Sequence, residues 1–392
     1  MRHSWFGRYR LHYELASGGM GTVYIATVDG SLPGYNRVVA LKHVHGRLAA
    51  LAPFRDMFLD EVRIASRLNH PNAVSIVDFG EVNQIPWYAM NLVLGERFSD
   101  AILTYHNKVR PDTKWNLAMF IAHCAIDACE GLHAAHELRD DSDQPMQVVH
   151  RDISPQNLLV GYDGRVRVVD FGVAKALDRL HRTATGEFKG RLAYAAPEQI
   201  EEGTVDRRAD VWSMGVVLWE ALTGRRLFRR EKTSEMVERV LTGMIPGIRE
   251  LDPELPPALD EVVAKALQRD PDRRYQDARQ MGRELQLFLS ETEHSFGVAE
   301  VAETMDGLFP GEHALKRQYL GQIRKRLDTK GADHVSEIQL RALGVQNQNA
   351  EVTRASCDEA EKTPRNRARW SLLTGLFVGM LLGLATAFII LQ

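Results

Sequence analysis

Asp152, Asn157 and Asp170 are the side chains of this chain with the types and the spacing to do chemistry. The first two lie in His150-Arg151-Asp152-Ile153-Ser154-Pro155-Gln156-Asn157, and Asp170-Phe171-Gly172 begins 13 residues after the asparagine. Val148 and Val149 predict a short buried strand leading into the first stretch. Leu158, Leu159 and Val160 form a second apolar run, and after a turn at Asp163-Gly164 the strand 166–169 delivers Asp170. Two carboxylates and an amide are thereby presented on one edge. Phosphoryl transfer uses that set: one carboxylate orients and deprotonates a hydroxyl, while an aspartate and an asparagine hold Mg²⁺ on the phosphates. A His-Arg-Asp triplet alone is usually a solvated ion pair; the full spacing is the specific signal.

The elements that must position these groups lie on both sides of them. Upstream, Leu15-Ala16-Ser17-Gly18-Gly19-Met20-Gly21-Thr22-Val23-Tyr24 joins two strands, and glycines there let a hairpin backbone approach phosphates with no Cβ in the way. Val38-Val39-Ala40-Leu41-Lys42 reads as a strand ending in a lysine. Phe54, Phe58, Val62, Ala65 and Leu68 recur at helical spacing around Glu61, and Pro71 stops that helix. Segments 76–79 and 87–93 read as two more strands of an antiparallel sheet. Downstream, 115–136 has long helical periodicity, and the run from Asp206 to Gly215 opens an apolar helix reaching Leu222. The charged stretch 139–147 is a surface loop, without the glycine and distal glutamate of a Ca²⁺ loop.

Taken in order, these motifs resemble the protein-kinase family, and within it the bacterial eukaryotic-like (Hanks-type) Ser/Thr kinases, over about residues 9–289. The resemblance implies an α+β, bilobal protein-kinase fold, with a small antiparallel-sheet N-lobe and a large helical C-lobe. It implies an ATP-dependent serine/threonine protein kinase in signalling, autophosphorylating on its activation segment, with ATP and Mg²⁺ (or Mn²⁺) as cofactors and protein substrates as partners. By that resemblance Asp152 positions the acceptor hydroxyl, Lys42 grips the α/β-phosphates and pairs with Glu61, and Asn157 and Asp170 bind the metal. The nucleotide site would be lined by Leu15, Ala16, Gly18, Gly19, Gly21, Val23, Ala40, Lys42, Met90, Val93 and Leu159, with the run from Tyr88 to Gly95 as strand and hinge. Ala16 stands where the family has its first glycine. Asp210 matches the aspartate that accepts hydrogen bonds from the catalytic-loop backbone. Arg274 matches the arginine that pairs with the glutamate of Ala196-Pro197-Glu198. Thr183 and Thr185 are the candidate phosphorylation sites, and Arg151 would meet the phosphate. Two departures go together: Ser154 replaces the usual lysine after the catalytic aspartate, and Arg191 replaces the usual threonine after Gly190. They read as an exchange of sides that makes Arg191 a catalytic cation.

The chain has 392 residues, 44% hydrophobic and 26% charged, which accommodates a two-lobed domain and an appendix. A net charge of −3 gives no field directed at nucleic acid. Cys124 and Cys129 fall on different faces of one helix and Cys357 in a polar tail, so they read as reduced thiols. Residues 1–10 lack the apolar core of a secretory signal. A helical extension is expected over 290–328: Val298, Val301, Ala302, Met305, Leu308 and Phe309, a break at Pro310-Gly311, then Leu315, Tyr319, Ile323 and Leu327 on one face. The second helix is basic elsewhere and reads as packing on the C-lobe rather than lying on anionic lipid. Residues 329–370 read as a polar juxtamembrane linker. The 21 uncharged residues 371–391, about 30 Å as a helix, predict one C-terminal transmembrane helix. By the positive-inside rule Arg365, Arg367 and Arg369 predict that the kinase domain faces the cytoplasm, and the resemblance to bacterial kinases implies a bacterial inner membrane. Gly375, Gly379 and Gly383, in register with Ser371 and Ala387, predict a homodimer through that helix. A rival reading, a pseudokinase scaffold that binds nucleotide or partners without turnover, sits badly with intact Lys42, Glu61, Asp152, Asn157 and Asp170. A small-molecule phosphotransferase sits badly with Ala196-Pro197-Glu198 and Arg274.

Overall fold

The computed structural model describes residues 5–28, 37–108, 114–171, 192–201, 203–228, 232–292 and 296–328. Strands β1 (Trp5–Phe6), β2 (Tyr9–Ser17), β3 (Gly21–Val28), β4 (Arg37–Val44), β5 (Ile76–Val82) and β6 (Ile85–Asn91) make an antiparallel sheet in the order β1-β2-β3-β4-β6-β5. Strand alternation sends Tyr9, Ala26, Val39, Leu41, Trp87 and Ala89 into one cluster on one face. The cross-strand pairs Val23–Lys42, Ile25–Ala40, Ala40–Met90 and Lys42–Tyr88 put those residues on the other face. At Gly21 an added Cβ would stand 2.1 Å from the His43 carbonyl oxygen, so only glycine permits the β3–β4 pairing there. After a single turn, α1 (Gly46–Ala49), comes α2 (Ala52–Ala65), which buries Phe54, Phe58 and Val62 against Tyr88, as their spacing predicts. Leu68 is buried just past the helix end.

Strands β7 (Gly95–Arg97), β8 (Leu158–Gly161) and β9 (Val166–Val168) form a small second sheet among helices. Those helices are α3 (Phe98–Lys108), α4 (Lys114–His136), α5 (Pro197–Ile200), α6 (Arg208–Thr223), α7 (Thr233–Thr242), α8 (Ile248–Leu251), α9 (Pro257–Ala266) and α10 (Ala278–Ser290). Helix α4 is buried nearly all round, which is why its sequence is apolar on every side. It anchors the strand that delivers Asp170. Its Asp127, whose pKa burial pushes up, accepts a hydrogen bond from the Val166 N–H at 2.8 Å. At Gly131 a Cβ would lie 2.2 Å from the Asn72 carbonyl oxygen, which itself accepts from the Val168 N–H at 2.9 Å. The strand expected at Val148 and Val149 is absent: both residues are half-buried and irregular. The next backbone donors, at His150 and Arg151, go to a carboxylate instead of a neighbouring strand.

Beyond these lie α11 (Val298–Leu308) and α12 (Glu312–Asp328). Val301, Met305 and Leu308 of α11 enter the C-lobe core. Helix α12 departs from expectation in the surface its apolar stripe meets and in part of its face: Tyr319 and Ile323 are buried as expected, Leu315 is not. Tyr319, Leu320 and Ile323 are buried against Ile25, with Tyr13, Leu15, Val38, Leu92 and Leu94 packed around them, whereas Leu315 is 38% exposed. Its apolar surface therefore meets the N-lobe sheet and the hinge. Among the described residues no helix is long and apolar enough to cross a membrane; the linker 329–370 and the span 371–391 lie outside them.

The pair expected between Glu198 and Arg274 is formed. The guanidinium donates to both carboxylate oxygens at 2.7 Å and to the carbonyls of Gln268, Arg208 and Arg269, so all five of its N–H groups are used. Arg274 is 2% exposed. Arg274→Met should therefore leave a carboxylate without its partner and lower stability by about 3–5 kcal/mol in urea denaturation. A loss under about 1 kcal/mol would mean that the pair contributes little beyond its cost of burial.

Candidate active site

The catalytic loop is fixed from below by Asp210, in the first turn of α6 and fully buried. Its Oδ2 accepts from the His150 N–H at 2.8 Å and lies 2.7 Å from His136 Nε2 on α4, while its Oδ1 accepts from the Arg151 N–H at 2.8 Å. Burial alone would raise the Asp210 pKa; the hydrogen bond and charge of His136, with the bonds from the loop, hold it below the ordinary aspartate value. His150 Nε2 lies 2.9 Å from the Val169 carbonyl, and Nδ1 accepts from the Asp152 N–H at 3.3 Å, which sets the imidazole as the Nε2–H tautomer. Arg151 adopts a left-handed backbone, φ 66°, and its carbonyl accepts from Gln199 Nε2 at 3.2 Å. Its guanidinium makes no ion pair among the described residues.

Asp152 and Asn157 come together as their spacing predicts. Asn157 Nδ2 donates to the Asp152 carbonyl at 2.7 Å and to its carboxylate at 3.2 Å, leaving Oδ1 of the asparagine as the acceptor. The Val169 N–H donates to the Asn157 carbonyl at 3.0 Å, so the loop and the strand before Asp170 are tied directly. Ser154 is buried, and its carbonyl accepts from the Asn157 N–H.

Asp170 stands between the lobes, also with a left-handed backbone, φ 61°. Lys42 Nζ lies 2.7 Å from its Oδ2, and the Tyr88 hydroxyl donates to Oδ1 at 2.6 Å. Burial works to raise its pKa, but the Lys42 ammonium, the bond from Lys42 and that from Tyr88 outweigh it and hold the group below its ordinary range. Burial, then the Asp170 charge, drives the Tyr88 pKa upward, so that hydroxyl keeps its proton. Among the described residues the ion pair of Lys42 is this one, in place of the expected pair with Glu61 on α2. An ammonium 8% exposed must have its anion in contact, and Asp170 supplies it. The sequence reading passed over Tyr88 as a site residue. No sequence signal marked it: its place opposite Lys42 is set by the β4–β6 register, which appears only in the fold.

Around this centre, Gly18, Gly19 and Gly21 close the β2–β3 hairpin, with the Gly18 N–H on the Gly21 carbonyl at 3.0 Å. Val23, Ala40, Lys42 and Met90 share one sheet face, and Leu15, Ala16, Val93 and Leu159 are half-buried. Gly172, Thr183, Thr185 and Arg191 lie outside the described residues.

Residues 9–284 match the model of the protein kinase domain. The chain belongs to the protein kinase family. It is 37% identical over 326 residues to the tyrosine-protein kinase MasK of Myxococcus xanthus, covering 83% of this chain and 50% of that one. It is 30% identical over 374 residues to the serine/threonine-protein kinase PknL of Mycobacterium tuberculosis, covering 95% and 84%. With the serine/threonine-protein kinase PrkC of Bacillus subtilis it shares 32% over 275 residues, 70% of this chain and 39% of that one. This kinase chain thus spans about half the length of MasK and less of PrkC. The crystal structure of the Mycobacterium tuberculosis PknI kinase domain aligns with a TM-score of 0.56 at 24% identity, covering 73% of this chain and 98% of that one, which shows the bilobal fold.

In this kinase domain three donors converge on the two oxygens of Asp210. Asp210→Asn replaces one oxygen by an NH₂ that must face a donor, so a stability loss of about 3 kcal/mol is expected in urea at neutral pH. A folded pKa below the unfolded value means that the carboxylate's contribution is complete above about pH 4 and is lost as pH falls through the folded value. The gap between wild type and variant should therefore narrow only under strongly acid conditions. A gap that stays constant down to acid unfolding would show that the charge of Asp210 is not what stabilises the loop.

Proposed function

We propose that this chain is an ATP-dependent serine/threonine protein kinase that transfers the γ-phosphoryl group to a protein hydroxyl, its own activation segment included. The observation that carries the reading is the convergence of Lys42 from one lobe on Asp170 of the other at 2.7 Å, beside Asp152 and Asn157 joined by one amide. Asp152 orients the acceptor hydroxyl and takes its proton, and Lys42 offers its charge to the nucleotide phosphates. The free oxygen of Asn157 and the carboxylate of Asp170 are hard donors of the kind Mg²⁺ prefers, and the ion would neutralise charge on the phosphates. Lys42 and Asp170 now neutralise each other. With nucleotide and cation bound, a phosphate would take the Lys42 ammonium and the cation the Asp170 carboxylate, leaving neither charge unpaired.

A second reading concerns the acceptor. MasK is named as a tyrosine kinase, and Ser154 here replaces the lysine usual in Ser/Thr kinases. Incubation with labelled ATP and Mg²⁺, followed by phosphoamino-acid analysis and site mapping, tests both. Wild type should incorporate label on Thr183 or Thr185, and Asp152→Asn or Lys42→Met should lose at least about 100-fold of the rate. Equal label in wild type and Asp152→Asn would overturn the enzyme reading; label on tyrosine alone would favour the second acceptor. In the same assay Arg191→Thr should be impaired and Ser154→Lys should restore part of the loss, whereas strictly additive effects would mean that the two positions drifted independently.

The uncharged span 371–391, its arginine flank and its small-residue register support a membrane anchor that leaves the kinase domain in the cytoplasm and pairs two copies. Gly379→Ile should weaken self-association of the full chain in detergent and slow its phosphorylation in membranes. Unchanged association would reduce the span to a plain anchor.

A further inference from the structure

The sheet face that carries Val23, Ala40, Lys42 and Met90 is covered at one end by α2, through Tyr88, Phe54 and Phe58. At its other end lie Ile25 and Val38, and α12 covers them. That helix presents Lys316, Tyr319, Leu320 and Ile323, positions i, i+3, i+4 and i+7 of a single stripe. Tyr319 meets the ring of Tyr13 edge-on at 6.2 Å, and Tyr319, Leu320 and Ile323 are each no more than 8% exposed. Leu15 and Leu92, packed in the same cluster, flank the glycine hairpin and the hinge.

The start of the same helix is fastened to the C-lobe and the hinge. His313 stacks on Tyr162 with ring centroids 4.7 Å apart and planes 5° from parallel. Lys316 Nζ donates to the Gly95 carbonyl at 3.1 Å and pairs with Glu96, whose carboxylate also accepts from the Tyr162 hydroxyl. One turn earlier, Lys108 Nζ of α3 holds the carbonyl of Leu308, at the end of α11. A single helix therefore bridges both lobes across the hinge, packed beside Leu15, which is assigned to the nucleotide site, and Leu92.

We propose that α12 is an interlobe strap that positions Leu15, Leu92 and the hinge for nucleotide binding, so that Tyr319, Leu320, Ile323 and Lys316 are positioning residues for ATP. The proposal rests on the kinase reading above. The hinge joins the β3 end of the sheet to the C-lobe through Leu94, which packs against both this cluster and the C-lobe core, and α12 is a second connection whose loss would loosen that side. The lobes then sample separations in which the nucleotide site is incomplete, and apparent affinity falls in proportion to the competent fraction. The effect belongs to ground-state binding, so it enters KM rather than kcat.

The test uses the full chain with ADP titrated calorimetrically, ATP kinetics and the thermal midpoint. Ile323→Asp, which puts a charge into the buried stripe, should weaken ADP binding and raise KM for ATP by about tenfold, with kcat within about twofold. Ile323→Leu should bind as wild type. Ile323→Ala and Lys316→Met, milder changes that keep the fold if the aspartate does not, should each weaken ADP by about two- to fivefold. Met305→Ala, in α11 and buried only against the C-lobe, should lower the thermal midpoint and leave ADP affinity unchanged. If wild type binds ADP while Ile323→Ala and Lys316→Met bind it equally well, the strap is overturned and the kinase reading stands. If Met305→Ala weakens ADP as much as Ile323→Ala does, the effect is general destabilisation and the strap is again overturned. If wild type binds no ADP with Mg²⁺ present, the kinase reading falls and takes this proposal with it.

Discussion

A buried carboxylate, Asp210, decides where the catalytic loop begins. An ion in the core is tolerable only when its lone pairs are met by donors. Here they come from the N–H groups of two consecutive residues, His150 and Arg151, and from His136. Two consecutive amides can point at one carboxylate only if the chain turns sharply, and it does so at Arg151. Because Asp210 sits on α6 and His136 on α4, the loop inherits its position from helix–helix packing in the C-lobe core. From there the order propagates: His150 holds the Val169 carbonyl, the Val169 N–H holds the Asn157 carbonyl, and Asn157 holds Asp152.

Among the contacts by which the N-lobe reaches this framework, one side-chain cluster touches the catalytic edge itself. Lys42 and Tyr88 are direct neighbours across two strands, and both touch Asp170. Their common sheet face cannot be left bare, since Val23, Ile25, Val38, Ala40 and Met90 on it are apolar. Helix α2 covers the end beside Val44 and Met20, next to the glycine hairpin, α12 covers Ile25 and Val38, and Val23 and Ala40 lie between them. The same hydrophobic requirement that stabilises the sheet thus shapes the edges of the nucleotide site.

The catalytic motifs were legible because chemistry fixes residue types at fixed chain separations, and short separations survive folding unchanged. Asp152 and Asn157, five residues apart, meet as read, while Asp210 with the loop and Glu198 with Arg274, 60 and 76 residues apart, meet as the family resemblance implies. What failed needed a partner that sequence does not name. Val148 and Val149 have strand composition, but a strand exists only where a neighbouring backbone accepts its bonds, and Asp210 had taken the next donors. The periodicity of α12 identified a helix, yet a stripe drawn through Leu315 and Ile323 and one through Leu320 and Ile323 differ by a modest rotation. The surface it meets, at Ile25 and Leu92, chose between them. Lys42 was given Glu61 by resemblance, and in the fold the closer anion is Asp170.

Backbone strain marks the two ends of the catalytic hairpin. Arg151 and Asp170 are non-glycine residues with φ of 66° and 61°, conformations that cost of order 1–3 kcal/mol each. Both are held by hydrogen bonds, but the bonds differ in origin. Those at Arg151 come from Asp210 and Gln199, within the C-lobe. Those on the Asp170 side chain come from Lys42 and Tyr88, in the N-lobe. A change in lobe separation therefore acts on Asp170 while leaving Asp152 in place. The two carboxylates are adjacent in space yet answer to different parts of the molecule: the one assigned to the acceptor hydroxyl is rigid with the core, and the one assigned to the metal reports how the lobes are set.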